Sequence, residues 1–442
     1  MACKWHSAPL GELISYIGKG VAPKYINDGP DATMVLGQKC VRNQALQYEQ
    51  ARFHNSAEKA VNPDKEVRKG DILVNATGVG SAGRVAQVMA DPSRQCITDG
   101  HVITLRAKDI NPFYLGYFVK SKQNTIELMA EGSTGQTEMN RQRLQNEIIV
   151  TFPESKDLQK RIAEYGLAID KKIAVNNQLN DYLSQICDAE FTDFVSNQRD
   201  ASWHDGTLNE LVEIRYGKDH KKLAEGPYPV YGSGGFMRSV EKPLSSGESV
   251  LIPRKGSLNN VMYVDEKFWT VDTMFFTIPL KPGAAKYVYQ YTKRLDFGTM
   301  NSGSAVPSMT TKILNSLVIP IPSDSALVSF NKKLQPFFDL FGKNEEENRR
   351  LVSLRDILLP KLMSGEIDVS KVDLTQLTNN HLWVHGHNVP NRYWKERLWK
   401  PSLIMFCHRC RTCSIRHSSN IWPKYSESRY CQLRKHPCRR IC

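Results

Sequence analysis

Apolar positions along this 442-residue chain follow two alternating rhythms. Short apolar runs broken by Gly- and Asn-containing turns fill residues 1–154, and they return over residues 196–323. Such runs predict β-strands joined by tight turns. After each block comes a polar-rich stretch in which apolar residues recur about every 3.5 positions. In the first stretch these are Ile162, Ile169, Ile173, Leu183 and Ile186; in the second, Phe330, Phe337, Phe341, Leu351 and Leu354. A shift of 168 residues superposes all five pairs and also lays Asn176 on Asn344. A one-sided stripe on a helix of about 35 residues, roughly 50 Å long, favours pairing as a coiled coil. The two helices are expected over 155–195 and 324–369, with Pro336 kinking or splitting the second.

The strand-rich blocks repeat as well. WHSAPLGELISYIGKG at 5–20 matches WHDGTLNELVEIRYGK at 203–218. KGDILVNATGVGSAGRVAQV at 69–88 matches SGESVLIPRKGSLNNVMYV at 246–264, and CITDGHVITL at 96–105 matches WTVDTMFFTI at 269–278. FYLGYFVKS at 113–121 and KYVYQYTKR at 286–294 both read as short aromatic helices. GSTGQTEMNRQRLQNEIIVTFP at 132–153 matches SGSAVPSMTTKILNSLVIPIP at 302–322, placing Met139 on Met309 and Leu144 on Leu314. The fold class that follows is α+β. Two mixed domains, 1–154 and 196–323, are separated by two long antiparallel helices in a pseudo-twofold repeat.

Charge and cysteine set the last segment apart. Residues 370–442 hold 14 Lys/Arg against 3 Asp/Glu, a net +11 out of the chain's +13. The body is therefore close to neutral, and any polyanion contact there depends on local patches. Six of ten cysteines (Cys407, Cys410, Cys413, Cys431, Cys438 and Cys442) also lie in this tail. Cys407, Cys410 and Cys413 beside His408 have zinc-ligand types, but the second knuckle, Cys431 and Cys438, is irregular. The tail reads as a disordered or aberrant extension, without metal. No apolar run of about 18 residues and no signal-peptide core stands in the sequence, so a cytoplasmic protein without membrane contact is expected.

Residues 351–369, LVSLRDILLPKLMSGEIDV, carry a family likeness. The run LRDILLPKLMSGEI resembles the closing signature of type I restriction-modification specificity subunits. YPVYGSGG at 228–235 and ILVNATGVGSAGRVA at 72–86 resemble elements of their target-recognition domains. The resemblance covers about residues 5–370. It implies that each recognition domain reads one half of a bipartite double-stranded DNA sequence. The helices would set the spacing and dock methyltransferase subunits, with restriction subunits joining separately. It also implies a non-catalytic chain without cofactors of its own; S-adenosylmethionine, ATP and magnesium would belong to the partner subunits.

Two motifs point to other chemistry. Gly78, Gly80 and Gly83 fit G-x-G-x-x-G, with Asp99 some way on, but a dinucleotide site needs a helix next. Here Arg84 to Val88 reads as a strand, so a turn is expected. Asn111-Pro112-Phe113-Tyr114 resembles the Asn-Pro-Pro-Tyr/Phe motif of adenine methyltransferases, which would make the chain a self-contained methyltransferase-nuclease. Phe113 replaces the second proline and the repeat counterpart, Ala284-Ala285-Lys286-Tyr287, lacks the motif, so a helix start with a core-facing Tyr114 is preferred. A nonfunctional remnant of a specificity subunit is the other alternative. Gly18-Lys19-Gly20 lacks P-loop spacing, and Glu345, Glu346 and Glu347 read as a solvated helix face.

Base and phosphate contacts are expected from polar turns. The first-domain candidates are Lys39, Arg42, Asn75, Thr77, Arg84, Ser133 and Thr134. The second-domain candidates are Tyr231, Ser233, Arg254, Lys255, Asn259, Asn260, Ser302 and Ser304. Because the repeat ends before Ser370, deleting residues 370–442 should leave DNA recognition unchanged; a gel-shift comparison showing lost affinity would count against this.

Overall fold

The computed structural model describes residues 4–30, 32–131, 138–300 and 308–369. Its spine is two helices, Lys156–Asn197 of 42 residues and Asp324–Met363 of 40. At 1.5 Å per residue each is about 60 Å long. Both start the same way. The Ser155 Oγ accepts from the Leu158 N–H, and the Ser323 Oγ accepts from the Ala326 N–H. These N-caps satisfy a backbone donor that the first turn leaves open. They are 168 residues apart, the same shift that relates the apolar stripes.

The helices run antiparallel. Asp170 pairs with Arg355, Asn176 with Asn348, Asn180 with Asn344, and Glu190 with Lys333. Ascending positions on one helix thus meet descending positions on the other. The second helix is continuous through Pro336 and Pro360, which corrects the expected split. Leu334, Phe337 and Phe338 flank Pro336 and pack against the second domain's core. The carbonyl deprived of its donor belongs to Lys332, an exposed residue, where water can serve it.

The apolar stripe is also narrower than expected. Ile162, Ile169, Leu183, Phe330 and Leu351 are buried, but Phe341 and Leu354 are each 39% exposed. Between them the seam is polar, as described below.

Each domain is zipped shut by its own ends. Trp5–Pro9 pairs antiparallel with Ile149–Pro153, and His204–Thr207 pairs antiparallel with Val318–Ile321. Both then share one four-strand arrangement. In the first domain the order is Ile14–Lys19, Val102–Ala107, Ile72–Asn75, Val85–Gln87. In the second it is Val212–Tyr216, Met274–Pro279, Ser245–Pro253, Met262–Thr270. Beyond that each copy carries an outer antiparallel hairpin joined through a parallel pair, and the copies differ in what is added to it. In the first, the hairpin Ala32–Leu36 with Arg52–Asn55 joins Cys96–Thr98 through the parallel pair Val35 and Ile97, forms its own sheet and gains the edge strand Tyr25–Ile26. The second continues its sheet with the hairpin Tyr228–Gly232 and Gly235–Val240, joined through the parallel pair Val230 and Trp269.

Repeat-related residues do the same physical work. Tyr114, in helix Pro112–Ser121, and Tyr287, in helix Ala284–Thr292, are both fully buried. Each hydroxyl donates to a carbonyl of the domain's closing strand, Tyr114 to Thr151 at 2.8 Å and Tyr287 to Pro320 at 2.6 Å. Met139 and Met309 are buried, and their N–H groups donate to Ala76 and Arg254, just beyond equivalent strands. Leu144 and Leu314 are buried in short helices capped by Asn140 and Thr310.

Each domain is completed by both long helices. The first domain's core takes Ile162, Ala163 and Tyr165 from the start of the first helix, with Leu359, Leu362 and Met363 from the end of the second. The second domain's core takes Cys187, Phe191 and Phe194 with Leu327, Phe330 and Leu334. Buried ion pairs add to the junctions. Asp170 holds the Tyr117 hydroxyl at 2.7 Å, Arg355 at 2.8 Å and Lys120 at 3.6 Å. Burial pushes the Lys120 ammonium below the usual lysine range, and Asp170 pulls it back. In the second domain Lys286, fully buried, pairs with Glu248 and faces the Tyr263 and Phe338 rings.

The chain's return to its start explains the run at 351–369. Gly365 ends the helix at φ +76°, a conformation that favours glycine. An added Cβ there would sit 3.0 Å from the Trp5 ring. Tyr165 donates to the Val369 carbonyl at 3.1 Å. Leu362→Ala should therefore destabilise the first domain, although it lies far from it in sequence. The loss should be about 2–5 kcal/mol. An unchanged urea midpoint would show that this domain's core does not need the second helix.

Candidate nucleic-acid interface

The candidate residues lie on two sets of turns. In the first domain, the loop between Ile72–Asn75 and Val85–Gln87 carries Gly78, Gly80 and Gly83, all at positive φ. A strand follows, not a helix, so no helix N-terminus stands ready for a pyrophosphate. Thr77 is half-buried, shares a hydrogen bond of 2.9 Å with His101 Nδ1, and is bonded to the Gln38 amide. Asn75 departs from expectation. It is fully buried and its amide donates to the Gln38 carbonyl at 3.2 Å, so it braces the loop beneath Lys39 and cannot reach a base. Arg84 folds back to the Gly80 carbonyl at 2.6 Å. Lys39 and Arg42 have exposed side chains.

Arg42 begins a hairpin, Val41–Arg42 with Ala45–Leu46, that turns through Asn43 and Gln44 at φ +54° and +59°. Two consecutive left-handed residues are the signature of a tight two-residue hairpin turn. The Asn-Gln pair is the local signal for this turn, and flanking strands of only two residues each are too short to display a periodic pattern.

In the second domain, Ser233, Arg254, Lys255 and Asn260 come together. The Asn260 amide donates to the Ser233 carbonyl at 2.9 Å. A Cβ on Gly256 would lie 2.7 Å from the Ser233 Oγ, so the two turns are in close approach. Arg254 lies over the Tyr216 ring at 5.5 Å and donates to the Asp272 carbonyl. Lys255 is exposed beside it. Tyr231 and Asn259 are turned elsewhere. The Tyr231 hydroxyl donates to Glu266 at 2.6 Å, and burial together with that carboxylate pushes its pKa up. Asn259 is engaged with Asp296 at 2.9 Å. Phe236 and Met237, each more than half exposed on the neighbouring hairpin, were not singled out in the sequence. Their exposure depends on the hairpin's placement, which no local pattern reveals.

The two sets of turns approach each other. The Arg42 guanidinium lies 3.4 Å from where a Cβ on Gly234 would stand. Ser133, Thr134, Ser302 and Ser304, and the tail cysteines, lie outside the described residues.

The methyltransferase-like motif has a structural use. Asn111 Oδ1 accepts from the Phe113 and Tyr114 N–H groups at 3.0 Å each, capping the helix. With Tyr114 in the core, the amide and ring that would hold a flipped base are committed to the fold. Among the described residues no cluster of metal-ligating side chains occurs, and no helix is long and apolar enough to cross a membrane.

The family comparison finds the same doubling. A family model described as the type I restriction modification DNA specificity domain matches residues 4–185 and again 201–352. The type I restriction enzyme HindI specificity subunit of Haemophilus influenzae is 32% identical over 134 residues. That match covers 30% of this chain and only a quarter of the Haemophilus protein. A putative type I specificity subunit of Mycoplasma genitalium is 26% identical over 286 residues, covering 58% of this chain and 71% of that one. A crystal structure of a type I restriction-modification S subunit from M. genitalium superposes with a TM-score of 0.47 at 20% identity, covering 81% of this chain and 96% of that one. Since the two segments matched by the family model span about three quarters of the sequence, one on each copy of the repeat, this chain belongs to the type I restriction modification DNA specificity family.

Proposed function

We propose that this chain is the DNA-reading specificity subunit of a type I restriction-modification complex, in which each recognition domain reads one half of a bipartite duplex target. The carrying observation is the doubled domain, with equivalent hydrogen bonds in both copies, on a spine of two antiparallel helices. Two similar readers related by a pseudo-dyad suit two half-sites at a fixed separation. Lys39 and Arg42 in the first domain, and Arg254 and Lys255 in the second, supply cations for phosphate or guanine edges. Ser233 and Asn260 add hydrogen-bonding groups beside the second pair.

Methylation and cleavage are assigned to partner methyltransferase and restriction subunits, which would bring S-adenosylmethionine, ATP and magnesium. The methyltransferase alternative is disfavoured by the use of Asn111 as a helix cap and of Tyr114 in the core. The near-neutral body supports recognition through placed turns more than through a general basic surface.

Arg254→Ala with Lys255→Ala should weaken discrimination at one half-site, by about 1–3 kcal/mol for a lost base contact, and spare the other. Binding to duplexes mutated in each half separately would read this out; equal loss at both halves would count against the modular reading. The purified chain alone should bind no methyl donor in calorimetry. Stoichiometric binding would revive the methyltransferase alternative.

A further inference from the structure

The span between the two domains is held by a polar layer. From Lys171 to Ile186 the buried residues of the first helix are Asn176, Asn180 and Leu183. From Asp339 to Leu354 those of the second are Asn344, Asn348 and Leu351. The 168-residue shift maps one triplet onto the other. Domain cores clamp the helix ends on either side, but neither core reaches this span.

The four amides interlock across the pseudo-dyad. Asn176 Nδ2 donates to Asn348 Oδ1 at 3.0 Å and to Glu347 at 2.8 Å. Asn344 Nδ2 donates to Asn180 Oδ1 at 2.7 Å, and Asn180 Nδ2 donates to Glu345 at 3.1 Å. Asn348 Nδ2 donates to Asn177 Oδ1 at 2.8 Å, and Lys172 reaches Glu347 at 3.3 Å. The 168-residue shift exchanges the pair 176/348 with the pair 180/344. The layer therefore sits on the pseudo-dyad itself.

No neighbouring register satisfies these groups. A slide of four residues would keep one Asn–Asn pair and bury the other amide against Leu340 or Val352. A slide of seven would set Asn176 and Asn180 against Phe341 and Phe337, or against Arg355 and Leu351. A buried amide without its partner is costly, and asparagine at a coiled-coil seam specifies register at some expense of stability.

We propose that Asn176, Asn180, Asn344 and Asn348 are positioning residues that fix the separation and rotation of the two recognition domains, and so the spacer length accepted between half-sites. This rests on the DNA-reading function proposed above. A four-residue slide corresponds to roughly 6 Å of helix rise, close to two base-pair steps of about 3.4 Å. A loosened layer should therefore blur the spacer without changing the half-sites.

Two measurements on the full chain test it. The first is a thermal double-mutant cycle without DNA. Asn176→Ala and Asn348→Ala should each lower Tm by about 2–4 °C, and the double variant should fall by less than the sum of the two, because they share one contact although each also holds a partner of its own. Asn176→Ala with Asn344→Ala, which are not bonded to each other, should add. Additive loss for the 176/348 pair would overturn the pairing. The second is binding to duplexes that keep both half-sites and vary the spacer one base pair at a time. The native chain should prefer one spacer, and replacing all four asparagines by alanine should cut that preference at least about tenfold with half-site discrimination kept. If the fourfold variant fails to fold, Asn176→Leu with Asn348→Leu removes one amide pair while filling the seam, and should blur the spacer in the same direction. An unchanged spacer preference in a folded variant would overturn the role. A native chain that binds no bipartite duplex would overturn the proposed function and the spacer role with it, whereas an additive cycle overturns the ladder alone.

Discussion

The antiparallel register of the two long helices is the constraint on which the rest of this structure depends. Each recognition domain borrows part of its core from the start of one helix and the end of the other. A wrong register would misalign both cores at once. Along the middle span, where neither domain contributes its core, the register is written in amides. An orphaned buried amide costs about 1–3 kcal/mol, comparable with the loss of a sizeable part of a core side chain. Four such groups in one layer make the paired register distinct from its neighbours, which an all-apolar seam would not.

The doubled architecture also says how a chain with little net charge in its body could read DNA. Cations need only stand on turns that the scaffold aims at the duplex. Such turns are where the two domains differ. The shared four strands, the buried tyrosine bonded to the closing strand, and the serine-capped helix are common to both. The edge strand Tyr25–Ile26 and the short hairpin Val41–Arg42 with Ala45–Leu46 in the first domain have no paired-strand counterpart in the second. A common frame keeps the two domains equivalent while their turns present different side chains.

The buried charges at the junctions fit the same logic. Lys120, Asp170, Tyr117 and Arg355 tie the first domain to both helices, and Lys286 with Glu248 and Tyr263 braces the second domain beside Phe338. A buried ion pair adds little to stability compared with apolar packing. Removing one partner leaves a charge in a dry interface, so these clusters reject docking geometries that do not satisfy them.

The sequence by itself determined the α+β class, the repeat and the helical spine, because periodicity and self-similarity are local properties that a single chain displays. It also carried the pairing of Met139 with Met309 and the reading of residues 111–114 as a helix start with a core-facing Tyr114. Only the tertiary structure decided what those elements do together. Pro336 reads locally as a break, yet packing on both sides carries the helix through it. Phe341 and Leu354 match the stripe but face outward, while Asn176, Asn180, Asn344 and Asn348 form the seam. Asn75 is chemically suited to touch a base and is instead buried beneath its loop. Lys120 and Lys286 look like surface lysines until the helices close over them. In each case the outcome depends on which distant segment arrives as a neighbour, and that is set by the register of the helix pair, not by the residues on either side in sequence.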